Sequence, residues 1–249
     1  MRTTAVFLLS LCLSGFSAFS GAAEITVAVA SNFTSSLEKL RQEFEQQSNH
    51  SIRVVSGSSG RLYAQIINGA PFDVFLSADA EKPRALESSG TISRADRRPY
   101  ALGRLVLWSG LSGRQVTNAD VLLQEGVNRV AIANPRVAPY GVAAVETLEA
   151  LGLFEALSER LVRGENIAQT YQFVESANAS LGFVALSQVL ERAAPDTYWL
   201  IPDNYHRPLV QELAVIRPSE AVAQFLQFME SAAGRAIILD SGYRLPEGL

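Results

Sequence analysis

The sequence predicts a two-lobed α/β protein in which each lobe is a mixed, mostly parallel sheet flanked by helices, joined by two extended crossings that act as a hinge. Three observations carry this reading. Short apolar, β-rich runs alternate with segments of helical period, the succession that builds parallel sheets. The succession breaks at Leu102, where a strand-like run, Leu105-Val106-Leu107-Trp108, has no βα partner just before it, and it resumes at Val130-Ala131-Ile132-Ala133. A long apolar run, Leu209 to Ile216, then leads back to helices that complete the first unit. Residues 24–101 with 212–249 form lobe I on this reading, and residues 102–211 form lobe II.

Before the first strand lies a separate segment, residues 1–23. Arg2 is followed by an apolar run from Ala5 to Phe19 and by Ser20-Gly21-Ala22-Ala23. Charge, apolar core and small residues make up a secretory leader, with cleavage expected after Ala22 or Ala23. The apolar run is too short, and too rich in Ser and Gly, for a membrane-spanning helix. Cys12 sits inside the leader behind Leu11, which does not suit lipid attachment, so the mature chain carries no cysteine, no disulfide and no thiolate metal site. With 249 residues, 48% hydrophobic, the chain is long enough for two lobes with cores of their own. A formal charge of −4 and the lack of Lys/Arg clusters exclude a general affinity for nucleic acid.

Taken in order, Ile25 to Ala30 reads as a fully buried strand that stops at Ser31-Asn32, and Phe33, Leu37, Leu40 and Phe44 then mark one helical face. Ser31 or Asn32 is the natural helix cap. A second strand, Ile52 to Val55, runs into Ser56-Gly57-Ser58-Ser59-Gly60, after which Leu62 and Ile66 stand one turn apart. Gly69-Ala70-Pro71 is a turn, Asp73 to Leu76 a short buried strand, and Asp79 the cap of the next helix. In lobe II, Val130 to Ala133 leads into the loop Asn134 to Gly141 and a helix carrying Val142, Val145 and Leu148 that stops at Gly152. A helix from Phe154 to Leu161 follows, and Gly164-Glu165-Asn166-Ile167-Ala168 opens another bearing Tyr171 and Val174. Leu181 to Leu186 is a strand. Pro218 begins a helix with Val222, Phe225, Leu226 and Met229 on one face, and residues Gly234 to Leu245 pack a last helix on lobe I.

Both serine-bearing loops of lobe I lie where a strand ends and a helix begins. Loops at the carboxyl edge of a parallel sheet are where ligands bind, and a helix N-terminus with free N–H groups is an anion site. Hydroxyls at Ser31, Ser59 and Tyr140, the Asn32 amide, and helix-start N–H groups near Ser59, Tyr140 and Ile167 could together surround a small oxyanion without any cation. Catalysis is poorly supported. His50 and His206 read as exposed loop histidines, no nucleophile elbow, Walker or dinucleotide pattern occurs, and Asp73 and Asp79 read as a turn residue and a cap rather than metal ligands. Arg61, Arg104 and Arg136 lie near the loops and read as rim charges.

The segments Ala28 to Phe33, Ser58-Ser59-Gly60-Arg61-Leu62-Tyr63-Ala64-Gln65-Ile66, Gly69-Ala70-Pro71-Phe72-Asp73-Val74-Phe75-Leu76-Ser77-Ala78-Asp79, and Asn134-Pro135 through Tyr140-Gly141 resemble the ModA family of periplasmic molybdate-binding proteins of ABC transporters. The likeness spans essentially the whole mature chain in order. It implies a type II periplasmic binding fold and a bare molybdate or tungstate ion between the lobes. It also implies a non-enzymatic role in delivering that ion to a membrane permease, with no cofactor and no bare metal cation. Carried over by position, the ligand set is Ser31, Asn32, Ser59, Tyr140 and Ile167, with backbone donors at Tyr140 and Ile167. One position departs from the family pattern: Ala185 stands where a tyrosine usually ends the strand, and the Asn32 or Tyr140 side chain is expected to replace that hydroxyl.

The sequence thus points to an exported, periplasmic, monomeric binder hinged near Leu102 and Val210, which selects its ion by cavity size. The competing readings are a binder of another small oxyanion or carboxylate, which Arg61 or Arg136 in the cleft would favour, and a secreted serine hydrolase using Ser59. The hydrolase needs His50 or His206 within reach of that hydroxyl. A sensor or surface-interaction protein with a degenerate site is a third.

Overall fold

The structure is a computed structural model that describes residues 21–111, 113–194 and 196–247. The body of the expected leader, including Cys12, lies outside the described residues.

Strand β1 (Glu24–Ala30) is buried from Ile25 onward, as a strand covered on both faces must be, and it pairs in parallel with β2 (Ser51–Gly57) and β3 (Val74–Leu76). Helix α1 (Thr34–Gln47) follows β1 and buries Leu37, Leu40 and Phe44, while α2 (Ser59–Ile67) and α3 (Glu81–Ser88) follow β2 and β3. The chain then forms β4 (Arg97–Gly103), crosses at Arg104 and enters a second sheet at β5 (Leu105–Trp108). There β6 (Val130–Ala133) leads to α4 (Pro139–Ala150) and α5 (Phe154–Leu157), β7 (Leu161–Gly164) to α6 (Ile167–Glu175), and β8 (Leu181–Ala185) to α7 (Leu186–Val189). After β9 (Tyr198–Leu200) the chain returns through β10 (Leu209–Val215) to α8 (Glu220–Glu230) and α9 (Ala232–Asp240).

The two sheets have one plan. The first runs β2-β1-β3-β10-β4 and the second β7-β6-β8-β5-β9. In each, a central strand has parallel neighbours on both sides, and a strand from one of the crossings is added antiparallel to one of them. Each crossing strand also pairs antiparallel with an edge strand, β10 with β4 and β5 with β9. The carboxyl ends of β1, β2 and β6 therefore deliver their following loops to one region between the sheets.

Several elements differ from the sequence expectation. Strand β4, with its two arginines and Pro99, lacks an apolar alternation and is held at a sheet edge, where a missing N–H is tolerated. Leu161 is not the end of a helix but the first residue of β7, which is set by its parallel register with β6 rather than by its own short sequence. Strand β9 and helix α7 are likewise too short to show a period. The α1 cap position is Phe33, with no side-chain cap bond, so Ser31 and Asn32 form a turn ahead of the helix instead of capping it. Helix α8 starts at Glu220 rather than Pro218, because the Ser219 hydroxyl accepts the N–H of Val222 at 3.2 Å.

Phe33 fixes the turn after β1 from below. It is fully buried and makes edge-on contacts with Tyr100 and Tyr243, ring centroids 4.9 and 5.1 Å away. Truncating it would leave a void under the first loop, and Phe33→Ala is expected to lower unfolding free energy by about 3–5 kcal/mol. Urea denaturation would show this as a reduced midpoint at unchanged slope.

Candidate functional site

The loops after β1, β2 and β6 and the start of α6 meet in a small cleft between the sheets. Ser31, Asn32 and Ser59 line it from one side, Tyr140 and Ile167 from the other, and Ala30, Ala78 and Ala138 add methyl groups. Its empty volume is about 190 Å³, counting the part open to solvent. Ala30 and Ala78 also belong to the apolar cluster that includes Ala138, Tyr140 and Ile167, so the two halves share packed surface.

The polar groups of this cleft are sorted by sign. Helices α2, α4 and α6 all begin here, and the first N–H groups of a helix have no partner within it. Among the described residues, the backbone N–H groups of Asn32, Ser58, Ser59, Tyr140 and Ile167 meet no acceptor. The neighbouring carbonyls, by contrast, are taken. Ala30 O accepts from Phe33 at 2.8 Å, Gly57 O from Ser31 at 2.9 Å, Ser58 O from Leu62 at 3.0 Å, and Ala138 O from Gly141 at 2.9 Å. The Ser59 hydroxyl accepts the N–H of Ala78 at 2.9 Å, which leaves its own proton to donate. No lysine or arginine lines the cleft among the described residues. Arg61 forms an ion pair with Glu165 at 2.6 Å, and Arg136 is exposed. What remains is a cavity that offers donors and the positive ends of three helices.

Two side chains turn elsewhere than expected. The Asn32 amide nitrogen donates to Gln211 Oε1 and to the Tyr243 hydroxyl, both at 3.0 Å, and the Tyr140 hydroxyl lies behind the cleft near Gln211 Nε2 at 3.4 Å. Neither side chain therefore supplies a hydroxyl or amide in place of the tyrosine that Ala185 lacks. Both instead belong to a buried network. Tyr100 donates to Gln211 Oε1 at 3.0 Å, Tyr243 donates to the Asn32 carbonyl at 2.7 Å, and the Ser187 hydroxyl of α7 donates to that same carbonyl at 2.9 Å. Burial pushes the phenols of Tyr100, Tyr140 and Tyr243 well above their ordinary range, so the network stays uncharged. Gly103 makes room for it: a β-carbon there would overlap the Tyr140 hydroxyl and Gln211. Ala185 is buried at the end of β8, and its N–H donates to Gln188 Oε1 at 2.9 Å while Gln188 Nε2 donates to the Ile167 carbonyl at 3.1 Å. Gln211, Tyr243, Ser187 and Gln188 carry no motif in the sequence, because only the tertiary fold brings them to the loops.

The histidines are buried, against expectation. His50 stacks on Phe44 and its Nδ1 accepts the N–H of Ala23 at 3.2 Å, while His206 Nδ1 lies 2.8 Å from the Arg207 carbonyl. Neither lines the cleft, so Ser59 has no imidazole beside it. Asp73, read as a turn residue, instead accepts the Thr26 N–H of β1 at 2.7 Å and pairs with Arg217, and Asp79 stands one residue before the α3 cap position Ala80 but still accepts the Lys82 N–H of its first turn at 2.9 Å. A larger groove of about 860 Å³ also runs between the sheets, but Glu146 and Arg207 there pair with each other at 2.6 Å, and it lacks the convergence of free donors.

At the mouth of the cleft the halves touch through backbone. Gly60 N–H donates to the Val137 carbonyl at 2.9 Å, and a β-carbon on Gly60 would stand 3.0 Å from the Val137 backbone. The ion pair of Arg61 and Glu165 closes over the same edge, and Lys39 pairs with Glu191 farther out.

Four likenesses to known proteins accord with this geometry. The family model for bacterial extracellular solute-binding proteins matches residues 25–244. The molybdate-binding protein ModA of Azotobacter vinelandii is 39% identical over 229 residues, covering 90% of this chain and 91% of its own, and that of Rhodobacter capsulatus is 37% identical over 225 residues, covering 89% and 88%. The solved structure of the periplasmic molybdate-binding protein of Azotobacter vinelandii superposes with a TM-score of 0.84 over 90% of this chain and 100% of that one.

The Gly60 contact generates a test. Backbone yields less readily than a flexible side chain, so Gly60→Ala is expected to push Val137 back by a few tenths of an ångström and weaken the bond across the mouth. Thermal unfolding should give the variant a lower midpoint, with an unchanged far-UV circular dichroism spectrum.

Proposed function

The chain belongs to the bacterial extracellular solute-binding proteins, and we propose that it captures molybdate or tungstate in the cleft between its sheets and hands the ion to a membrane ABC permease. It is a binding protein, not an enzyme, and needs no cofactor. The observation that carries the reading of the ligand is the one-sided polarity of the cleft, where free donors converge and the nearby carbonyls are already occupied.

A dianion taken out of water is costly unless hydrogen bonds replace its hydration. Ser31 and Ser59 donate through hydroxyls, and Asn32, Tyr140 and Ile167 through backbone N–H groups. Charge-assisted bonds of this kind contribute roughly 1.5–3 kcal/mol each. Ala185 is compensated by the backbone, with the Asn32 N–H taking the share that a tyrosine hydroxyl would otherwise supply. Because spare acceptors are scarce, an oxyanion that keeps a proton, such as hydrogen phosphate, meets a repulsive contact. Sulfate carries the right charge and shape but is smaller than molybdate, so it cannot reach donors on both sides at once.

The half built on the first sheet and the half built on the second close about the crossings at Arg104 and between Leu200 and Leu209; Leu102 and Val210, expected at the hinge, pair with each other inside the first sheet. The protein is exported, its leader is removed after Ala22 or Ala23, and it acts in the periplasm as a monomer that meets its permease transiently.

Calorimetry on the mature protein is expected to show tight binding of molybdate and tungstate, at least about 100-fold weaker binding of sulfate, and none of phosphate. Sulfate affinity equal to that for molybdate would overturn the size argument. Ser59→Ala should weaken molybdate binding by about 10–100-fold and also destabilise the free protein, since the Ala78 N–H loses its acceptor. The only ionisable side chain lining the cleft among the described residues is Tyr140, whose phenol is held neutral, so molybdate affinity should stay flat between about pH 6 and 9.

A further inference from the structure

Ser58 occupies the cap position of α2, with extended backbone angles of φ −76° and ψ 147°. A serine there ordinarily accepts an N–H from the first turn of its helix. Other caps in this chain do so: the Asn166 side chain accepts from Gln169 at 3.0 Å, Ser219 from Val222 at 3.2 Å, and Ser231 from Gly234 at 3.2 Å. Ser58 makes no such bond with Arg61, the residue at the equivalent position, and the N–H of Gly60 goes to Val137 across the cleft. Ser58 is nonetheless only 3% exposed, and its buried hydroxyl meets no hydrogen-bond partner among the described residues. Ser58 also lines the same cleft as Ser31 and Ser59.

A buried hydroxyl without a partner opposes folding, and a helix cap that is free to cap but does not is doubly unfavourable. The first cost is removed if the partner of the hydroxyl is the bound oxyanion. We propose that the Ser58 hydroxyl is a direct donor to the ion, an additional ligand residue from the second loop. The two adjacent serines then differ in role. Ser59 is fixed in place by the Ala78 N–H and donates from a set direction, whereas Ser58 is free to rotate its proton toward whichever oxygen the closing lobes bring to it. The inference rests on the oxyanion reading of the cleft, and it concerns a residue outside the ligand set of Ser31, Asn32, Ser59, Tyr140 and Ile167.

Ser58→Ala tests it, with molybdate as the probe in isothermal calorimetry and with the melting temperature of the ligand-free protein measured alongside. The expected result is an affinity at least about tenfold weaker, with a free-protein melting temperature equal to or above that of the unaltered chain. An affinity within about twofold of the unaltered chain would overturn the proposal. So would a weaker affinity accompanied by a lowered free-protein melting temperature, because the hydroxyl would then have a structural partner. If the unaltered chain itself binds neither molybdate nor tungstate, the oxyanion reading falls and takes this inference with it; if it binds and Ser58→Ala binds equally well, only the role of Ser58 is lost.

Discussion

A doubly charged ion can be held away from water only where enough hydrogen bonds point at it, and the organisation of this molecule follows from that constraint. Meeting it without cations requires N–H groups that no helix or sheet has used. Such groups exist at helix starts, and parallel sheets place helix starts at their carboxyl edge. Three helices drawn from two sheets supply them here, while the carbonyls that would repel the ion are tied up in short turns such as Phe33 to Ala30 and Ser31 to Gly57. The repeated sheet plan is thus the means by which two sets of helix ends come to face one another.

Behind the cleft lies a second polar layer whose work is different. Asn32 faces both ways: its N–H stands free in the cleft, while its amide and carbonyl are held by Gln211, Tyr243 and Ser187. Because Ser187 comes from the second half and Tyr243 from the end of the chain, the turn that carries Ser31 and Asn32 is positioned by three distant segments. Phe33 packs between Tyr100 and Tyr243 and extends that support into the apolar core. The phenols remain neutral, so the support adds no charge that would compete with the ion.

Much of this was legible in the sequence, for physical reasons. Strands buried on both faces appear as continuous apolar runs, and Ile25 to Ala30 and Val130 to Ala133 do so plainly; their loops, rich in Ser, Gly and Pro, announce the cleft. Strands β4, β7 and β9 were not visible, because Arg97-Arg98-Pro99 and Leu161-Val162-Arg163 owe their extended form to a neighbouring strand. Side-chain direction was also beyond reach. Asn32 and Tyr140 were placed at the cleft, but no local pattern says that their polar ends turn toward Gln211, some 179 and 71 positions away. His50 and His206 looked like surface residues because their flanks are polar, and only the fold buries them.

The bond between Gly60 and Val137 has a consequence for how cargo leaves. While the halves are together, the Val137 oxygen is occupied. Parting them strips that oxygen of its donor at the rim of the cleft, in the same motion that carries α4 and α6 away from α2. An ion caught midway would lose favourable contacts and meet a newly bared negative dipole. Any separation of the halves would therefore break a backbone bond and bare a carbonyl beside the cleft in one movement.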